Sequence, residues 1–284
     1  MILVTGATSH TGSRLVQRLV GLNYQVRCLV RNPRHAGNLP LEKVEIAQGD
    51  IQNEEQVIAA LKDVDILVNI AHIKFAPALL PICRKAGVRR ALFMSSTRRY
   101  TKFPCETSRQ VIDSEEAIRR GGLDYTILRP SMIYGGPQDN NITKLVDQIK
   151  RHKFFPLFGD GSNLIQPVFV WDLVDALLYC VAHPETSGRE YTIAGPEPIT
   201  YRRIVEIIAG ALNRKIIFVP VPLPLCLFMA GIYEKIASKP RVTSEQVRRF
   251  GEDKAFDIGE ARREIGFSPR SFEEGIRLKI NGEA

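Results

Sequence analysis

The chain has 284 residues, 44% hydrophobic and 25% charged, which is ordinary for a globular protein of one large or two closely joined domains. Its net charge of +8 and pI near 9.3 come from scattered pairs of basic residues rather than from one block. This distribution favours a solvated basic surface, with anionic small molecules as the next class of partner. It argues against a nucleic-acid-binding protein.

The five cysteines, an odd number without Cys-x-x-Cys spacing, predict a reducing compartment. Residues 1–30 alternate between strand and helix patterns and lack the basic and apolar regions of a signal peptide. A cytoplasmic protein is therefore expected. The five histidines show no metal-ligand spacing, so no metal site is predicted.

The first twelve residues, MILVTGATSHTG, predict a strand, a glycine turn and the start of a helix. Residues 2–4 are apolar, Gly6 and Gly12 bracket a loop of small residues, and apolar residues then recur at helical spacing. A helix N-terminus holds a phosphate well because its N–H groups are unpaired and its dipole is positive there. With a second strand at 25–30, the pattern indicates a dinucleotide-binding site.

The rest of the chain continues this alternation of strands and helices. The succession predicts an α/β fold with a doubly wound parallel sheet, whose ligands bind at the carboxyl ends of the strands. Asp172 and Thr200 are expected to cap helices, and Asn53 competes with Asp50 as the cap of the helix that follows them. The predicted strands are 25–30, 44–47, 65–70, 91–94, 125–128 and 191–194, and the clearest later helices are 108–120 and 199–212, with another ending at Gly266.

The spacing of Thr5, Gly6 and Gly12 resembles the TGxxGxxG fingerprint of extended and atypical short-chain dehydrogenase/reductases, with Ser9 in place of the middle glycine. Ser9 is expected either to bond a phosphate or to narrow the site. The resemblance covers nearly the whole chain. It implies a Rossmann dinucleotide-binding domain over 1–156 and a smaller C-terminal α+β substrate region over 157–284, partly woven back onto the sheet.

The end of the second predicted strand indicates which dinucleotide is preferred. No acid stands there to hold the ribose 2′-OH of NAD; the strand ends in Arg31, followed by Asn32, Pro33 and Arg34. A guanidinium suits a 2′-phosphate by charge and by bidentate geometry. NADP is therefore the predicted cofactor, with NAD as second choice, and the ending resembles the VRNP of NADP-binding atypical reductases.

The same resemblance implies further cofactor contacts. Asp50 would accept from the adenine amino group beside Ile51, the alternative being that Asp50 caps the next helix. Asn69 and Ala71 match a position where small residues let the ribose lie close. The full predicted cofactor set is Gly6, Thr8, Ser9, His10, Thr11, Gly12, Arg31, Arg34, Asp50, Ile51, Asn69, Ala71, Ser95, Arg129 and Pro130.

Members of this family use a Ser or Thr together with a Tyr-x-x-x-Lys pair, in which the lysine shares a helix face with the tyrosine and lowers its pKa. None of the eight tyrosines here is followed by lysine at the fourth position. The pattern of the 108–120 helix puts Thr107 at the tyrosine position and Val111 at the lysine position. Ser96 remains as the hydroxyl that would polarise a substrate oxygen.

Three side chains are alternatives for the missing proton donor. Tyr100, with Lys102 in the same loop, is one. Tyr134 facing the nicotinamide is the second, against a packing role for the same residue. Cys105 is the third, although its sequence neighbours do not mark it as a thiolate. The proton donor stays unassigned from the sequence.

Two functions follow from these features. The first is reduction or epimerisation of a small carbonyl or sugar-nucleotide substrate with NADP(H). The second is a non-catalytic NADP(H)-binding sensor or accessory or assembly subunit. The missing tyrosine-lysine pair favours the second, and the retained C-terminal half favours the first.

One apolar segment stands apart. Residues 216–233 carry no charge, near the length of a membrane span, but the prolines at 220, 222 and 224 prevent a regular helix. A strand at 216–219 and a short apolar helix from about residue 225 are predicted. This helix is expected to be buried or to form a homodimer contact, with a membrane contact as the less favoured alternative.

Overall fold

The computed structural model describes residues 1–136, 139, 141–236 and 244–283. The strands are β1 Ile2–Thr5, β2 Val26–Val30, β3 Glu45–Gln48, β4 Ile66–Asn69, β5 Arg90–Met94, β6 Asp124–Pro130, β7 Ile133–Tyr134, β8 Phe154–Phe158, β9 Leu164–Ile165, β10 Val168–Phe169, β11 Arg189–Ile193, β12 Ile199–Thr200 and β13 Ile217–Val221. The helices are α1 His10–Gly21, α2 Glu54–Ala60, α3 Ala76–Lys85, α4 Glu106–Arg120, α5 Ile142–Arg151, α6 Val170–Ala182, α7 Tyr201–Ala211, α8 Leu223–Ile236, α9 Ser244–Phe250, α10 Gly259–Ile265 and α11 Phe272–Asn281.

Seven strands form the central sheet in the order β11-β6-β5-β4-β1-β2-β3. Every neighbouring pair is parallel. The chain winds outward from β1 to β3, then crosses back to β4 and winds the other way. The predicted doubly wound α/β sheet is thus confirmed, and its direction reverses between β1 and β4, where such folds bind their ligands.

Successive residues of a strand point to opposite faces of the sheet, so the strands contribute side chains to two cores, one on each face. Ile2 and Val4 pack with α1, α6 and α10, whereas Leu3 packs with α2, α3 and α4. A third core joins α5, α7 and α11 to β8. Because α6, β11 and α10 come from the C-terminal part yet pack on the sheet, the two parts of the chain share one framework.

Most helix ends follow the predicted capping chemistry. The side chains of Asn53 and Thr200 accept from backbone N–H groups in the first turns of α2 and α7, and Gly266 ends α10 in a left-handed conformation. The prediction for Asp172 is wrong: it lies inside α6 and accepts from the Arg270 backbone N–H at 2.8 Å. Its carboxylate bonds the segment before α11. These residues are far apart in sequence, so the local pattern around Asp172 does not predict the contact.

In the part of the chain that the structure describes, no helix is both long and apolar enough to cross a membrane. The charge-free segment instead forms β13, which pairs in parallel with β8, followed by the 14-residue helix α8. Pro220 is tolerated because these two strands form a sheet of their own, in which β13 has a free edge.

A buried ion network holds α4 against the sheet. Glu115, fully buried on α4, receives two hydrogen bonds of 2.8 Å from the Arg129 guanidinium on β6. Arg99 also bonds Glu115, and Arg129 also bonds Glu190 on β11. Buried charges persist only when their partners satisfy them, so these residues constrain one another's positions.

We expect Glu115→Ala to lower the free energy of unfolding by about 3 kcal/mol, because the variant leaves the Arg129 guanidinium buried with one carboxylate fewer. Glu116→Ala is the matched control: its pair with Arg120 is exposed, so the loss is at most about 1 kcal/mol. Urea denaturation of both variants measures the difference. If both variants lost the same free energy of unfolding, the buried network would contribute no more to stability than an exposed ion pair.

Candidate functional site

The loop between β1 and α1 requires glycine at both predicted positions. Gly6 has φ +67°, and a Cβ there would lie 2.7 Å from the Ala71 backbone nitrogen. A Cβ on Gly12 would lie 2.2 Å from the Gly6 carbonyl oxygen. The first turn of α1 therefore packs directly on the loop, and the loop packs on the end of β4. This is a backbone cradle that side chains would fill.

The residues between the two glycines have different roles. Ser9 is the N-cap of α1, its hydroxyl accepting from the Gly12 N–H at 3.1 Å. The oxygen of Ser9 thus occupies a position that an anion would take at a helix N-terminus. Thr11 is buried. His10 is half-buried, and its burial lowers the pKa of its imidazole to about 4, with the Arg14 charge acting in the same direction.

A cavity of about 640 Å³ opens beside this loop, at the carboxyl ends of β1 to β4. It contains seven of the predicted cofactor residues, and the structure therefore brings together parts of the chain up to 70 positions apart. Its lining includes Gly6, Thr8, Ser9, Arg31, Asp50, Ile51 and Ala71.

The far end of this cavity is basic. Arg31 and His35, both exposed, lie on the segment after β2, and Lys74, after β4, also lines the cavity. Asp50 follows β3; its backbone N–H donates to Gln56 at 2.8 Å and its carboxylate accepts from the Gln52 N–H at 2.9 Å. Asp50 therefore forms a turn of its own, and the cap of α2 is Asn53. Arg34 lies outside the residues that line the cavity.

Asn69 does not line the cavity, in contrast to its predicted contact with a ribose. It is fully buried, accepts from the Thr5 hydroxyl at 2.7 Å and donates to the Ala71 carbonyl at 3.2 Å. These bonds join the ends of β1 and β4. Asn69 therefore positions the segment that carries Ala71.

Three other predicted cofactor residues belong to the interior. Ser95 donates to Glu115 at 2.5 Å, and Arg129 is held by Glu115 and Glu190. Pro130 is buried because β6 extends through it, two residues beyond its predicted end. Ser95 and Arg129 thus belong to the buried ion network, and none of the three residues lines either cavity.

A second cavity, of about 490 Å³, lies between the carboxyl ends of β5 and β6 and the C-terminal region. Ser96 lines it and begins a short 3₁₀ turn by accepting from the Arg98 N–H at 3.2 Å. Tyr100 at the end of that turn also lines it, with its hydroxyl 3.4 Å from that of Thr192. The structure therefore brings two predicted catalytic residues to one cavity.

An electrostatic interaction links residues of the two cavities. His72 lines the first and Arg98 lines the second. The pKa of His72 is lowered by burial and by the positive charges of Lys74 and Arg98. These two lining residues therefore lie within electrostatic reach of each other.

The helix face that carries the tyrosine-lysine pair in the resembled family is different here. Thr107, at the tyrosine position, accepts from the Arg98 guanidinium at 2.8 Å. Val111, at the lysine position, is buried in the core between α4 and the sheet. A lysine at this position would place an ammonium among apolar side chains. Any cation that assists a proton donor at this site must therefore come from another part of the chain.

Tyr134 is removed from the candidates for proton donor. Its side chain is fully buried between Phe169 and Phe272, with its hydroxyl 3.5 Å from two carbonyl oxygens near the start of α11. Burial raises the pKa of this phenol. A hydroxyl held there does not reach either cavity, and the packing role is the one that the structure shows.

Cys105 lies at the N-cap of α4, with its sulfur 3.1 Å from the Thr107 hydroxyl and 4.0 Å from the Arg249 guanidinium. Burial opposes ionisation of the thiol, but these groups and Ser108 outweigh it, so the pKa of Cys105 lies below its usual value. Cys105 is not among the residues that line the second cavity.

Several lining residues are not in the predicted set. In the first cavity they include the basic residues His35 and Lys74; a search for bases near Arg31 in the sequence would have found His35. In the second, Lys144, Arg249 and Lys254 come from α5, α9 and the segment after α9. Lys254 donates to the carbonyls of Arg249 at 2.6 Å and Glu252 at 3.1 Å, and burial lowers its pKa. These residues are distant in sequence, so no local motif marks them.

Comparison with known proteins identifies a family model and several similar proteins. A family model described as NAD(P)H-binding matches residues 6–153, just over half of the chain. A mitochondrial NADH dehydrogenase [ubiquinone] 1 alpha subcomplex subunit 9 of Arabidopsis thaliana is 25% identical over 83% of this chain, which spans 64% of that protein's length. An NAD(P)H azoreductase of Xenophilus azovorans is 21% identical over 78% of each chain.

Solved structures share the fold. UDP-glucuronic acid 4-epimerase from Bacillus cereus, in complex with UDP-glucuronic acid and NAD, superposes with a TM-score of 0.77 at 18% identity, covering 99% of this chain and 98% of that one. A dTDP-glucose 4,6-dehydratase from Streptomyces venezuelae, with NAD bound, gives 0.76 at 21% identity, covering 99% and 95%. The Rossmann-like α/β fold that the resemblance implies is thus confirmed.

We expect Gly12→Ala to weaken NADPH binding at least about tenfold, because a Cβ 2.2 Å from the Gly6 carbonyl oxygen forces the loop away from α1. Gly21→Ala is the control, since nothing lies within 4 Å of its Cβ and alanine favours the helix. Fluorescence titration of NADPH measures both. Unchanged affinity in Gly12→Ala would separate the glycine cradle from cofactor binding.

Proposed function

Since this chain belongs to the NAD(P)H-binding family, we propose that it is an NADP(H)-dependent oxidoreductase or epimerase of the short-chain dehydrogenase/reductase type, acting on a small carbonyl or sugar-nucleotide substrate. The observation that carries the proposal is the pair of cavities at the carboxyl edge of the sheet. The first has the glycine cradle and the basic end; the second has Ser96 and Tyr100.

The first cavity fits a dinucleotide. Gly6 and Gly12 leave room for a pyrophosphate at the N-terminus of α1, and Asp50 and Ile51 lie where an adenine would be held. Ala71, supported by Asn69, leaves space for a ribose. Bound NADPH would supply a hydride to the carbonyl carbon of the substrate.

The second cavity supplies the groups that would act on the substrate. The Ser96 hydroxyl would donate a hydrogen bond to the substrate oxygen, where negative charge develops. Tyr100 is the remaining tyrosine for transfer of the proton to that oxygen, with Lys254 in the same cavity as a nearby cation. The cations Lys144, Arg249 and Lys254 favour a substrate that carries negative charge.

The preference for NADP rests on Arg31 and His35 in a cavity wall where the NAD-specific acid is absent. We expect Arg31→Ala to weaken NADPH binding by about 1.5–3 kcal/mol through loss of charge-assisted bonds to the 2′-phosphate. NADH affinity should stay nearly unchanged. Arg34→Ala, outside the cavity lining, is the matched control for loss of surface charge.

Calorimetric titration of both nucleotides into the three proteins measures these affinities. Equal losses for NADPH and NADH in Arg31→Ala would mean that Arg31 acts on a part common to both nucleotides. If Arg34→Ala behaves like Arg31→Ala, the effect is the general charge of the surface rather than a phosphate site.

A second function is supported by one specific observation, the burial of Val111 at the lysine position. Without the tyrosine-lysine pair, the chain would bind NADP(H) as a sensor or as an accessory subunit of a larger assembly. The name of the Arabidopsis relative is that of a complex subunit, which agrees with this candidate.

A test for hydride transfer from NADPH distinguishes the proposed enzyme from a non-catalytic sensor or accessory subunit. NADPH carrying deuterium at the transferable position is incubated with a panel of carbonyl compounds, and deuterium in the product is measured. We expect transfer in the unmodified protein and a loss of about 100-fold in kcat/KM for Ser96→Ala, because one donor to the developing oxyanion is removed. Ser268→Ala, exposed and distant in sequence from the site, is the control.

Tight NADPH binding with no transfer to any member of the panel would favour the sensor or accessory subunit. Transfer that Ser96→Ala leaves unchanged would retain the oxidoreductase but overturn the role of Ser96.

A further inference from the structure

Helix α8 exposes a stripe of large apolar side chains. Phe228 is 66% exposed, Met229 61% and Ile236 78%. The exposed positions follow the spacing of a single helical stripe, and Ala230 is buried on the opposite side. The stripe consists of Leu225, Phe228, Met229, Ile232, Tyr233 and Ile236.

The two-stranded sheet that precedes α8 also exposes apolar side chains. Ile217 and Val219 point the same way on β13, and Phe154 of β8 is paired with Ile217. All three are exposed. The Cys226 thiol, 4.0 Å from the Val221 carbonyl, joins the first turn of α8 to the end of β13. Helix stripe and strand residues together form what we call the apolar surface.

Basic side chains border the apolar surface at the start of β8 and β13. The Arg214 guanidinium donates to the Lys150 carbonyl at 3.0 Å, which ties the two chain segments together. The exposed members of this basic rim are Lys150, Arg151, Lys153, Arg214 and Lys215. Of the nearby acids, Asp147 is exposed on α5, and Glu234 is bonded by Ser244.

We propose that the apolar surface and its basic rim bind the surface of an anionic lipid bilayer. Apolar side chains on an exposed helix enter the boundary between headgroups and acyl chains, and neighbouring Lys and Arg side chains bind anionic headgroups. The helix lies on the membrane and does not cross it, which agrees with its length of 14 residues.

The positive charge of the basic rim and of the chain favours an anionic bilayer over a second copy of the chain as the partner of the apolar surface. Two copies meeting symmetrically through the apolar surface would bring two basic rims to one interface, where like charges repel. The chain carries a net charge of +8, which adds to that repulsion. An anionic bilayer offers the opposite charge over the same area.

Sedimentation with lipid vesicles tests the proposal. One set of vesicles contains phosphatidylglycerol and phosphatidylcholine, and the other phosphatidylcholine alone. We expect binding to the anionic set, decreasing as salt is raised. Phe228→Glu with Met229→Glu should abolish it, and Lys153→Glu with Arg214→Glu should weaken it at least about tenfold.

Two control variants match these changes elsewhere on the surface. Ile58→Glu places a charge on an exposed apolar position of α2, and Lys85→Glu with Arg109→Glu removes two exposed cations away from the rim. Both should bind vesicles nearly as the unmodified protein does. NADPH titration of all variants checks that they are folded.

Absence of binding to anionic vesicles overturns the proposal, as does binding that both surface variants retain. So does a sedimentation-equilibrium dimer that Phe228→Glu with Met229→Glu dissociates, because the apolar surface would then be a contact between copies. The vesicle assay does not depend on turnover, so it can fail while the proposed oxidoreductase stands.

Discussion

The ion network around Glu115 links the elements on which the site depends. Arg129 on β6 bonds Glu115 on α4 and Glu190 on β11, so the last strand of the sheet is fixed to the helix beneath the second cavity. Ser95, at the end of β5, donates to the same carboxylate. Ser96 follows it immediately. The position of the proposed substrate-binding hydroxyl is therefore set by buried charges that themselves touch neither cavity.

Buried polar bonds explain why some of the predicted cofactor residues, such as Arg129 and Asn69, do not line the first cavity. Gly6, Gly12 and Arg31 are recognisable because residues close to them in sequence indicate their predicted roles. The two glycines lie between a strand and a helix. Arg31 ends a strand at which the acid that would hold the ribose of NAD is missing. Arg129 and Asn69 have equally polar side chains at strand ends, but their partners Glu190 and Thr5 lie more than 60 residues away. Sequence position predicts that a polar residue reaches the carboxyl edge. It does not predict whether the side chain lines a cavity or bonds a partner in the protein interior.

The same reasoning applies to the fold as a whole. The period of apolar residues predicts every strand of the central sheet within a few residues, because each strand must supply both cores. The second cavity is different, since one of its walls comes from α9 and the segment after it, and that wall carries Lys254 and Arg249. Tyr134 likewise looks like a site residue by its place after β6. Only the packing of Phe169 and Phe272 around it reveals a core position.

The loss of the tyrosine-lysine pair has a structural counterpart. In the resembled family the helix face at 107 and 111 serves chemistry, whereas here Thr107 bonds Arg98 and Val111 completes a core. The cations that line the second cavity come instead from Arg98 beside Ser96, from α5 and from the C-terminal region. Lys254 is held by the carbonyl of Arg249, in the last turn of α9, and by that of Glu252. We expect any proton transfer at this site to depend on the 249–256 segment, because this segment holds Lys254 in the cavity that Ser96 and Tyr100 also line.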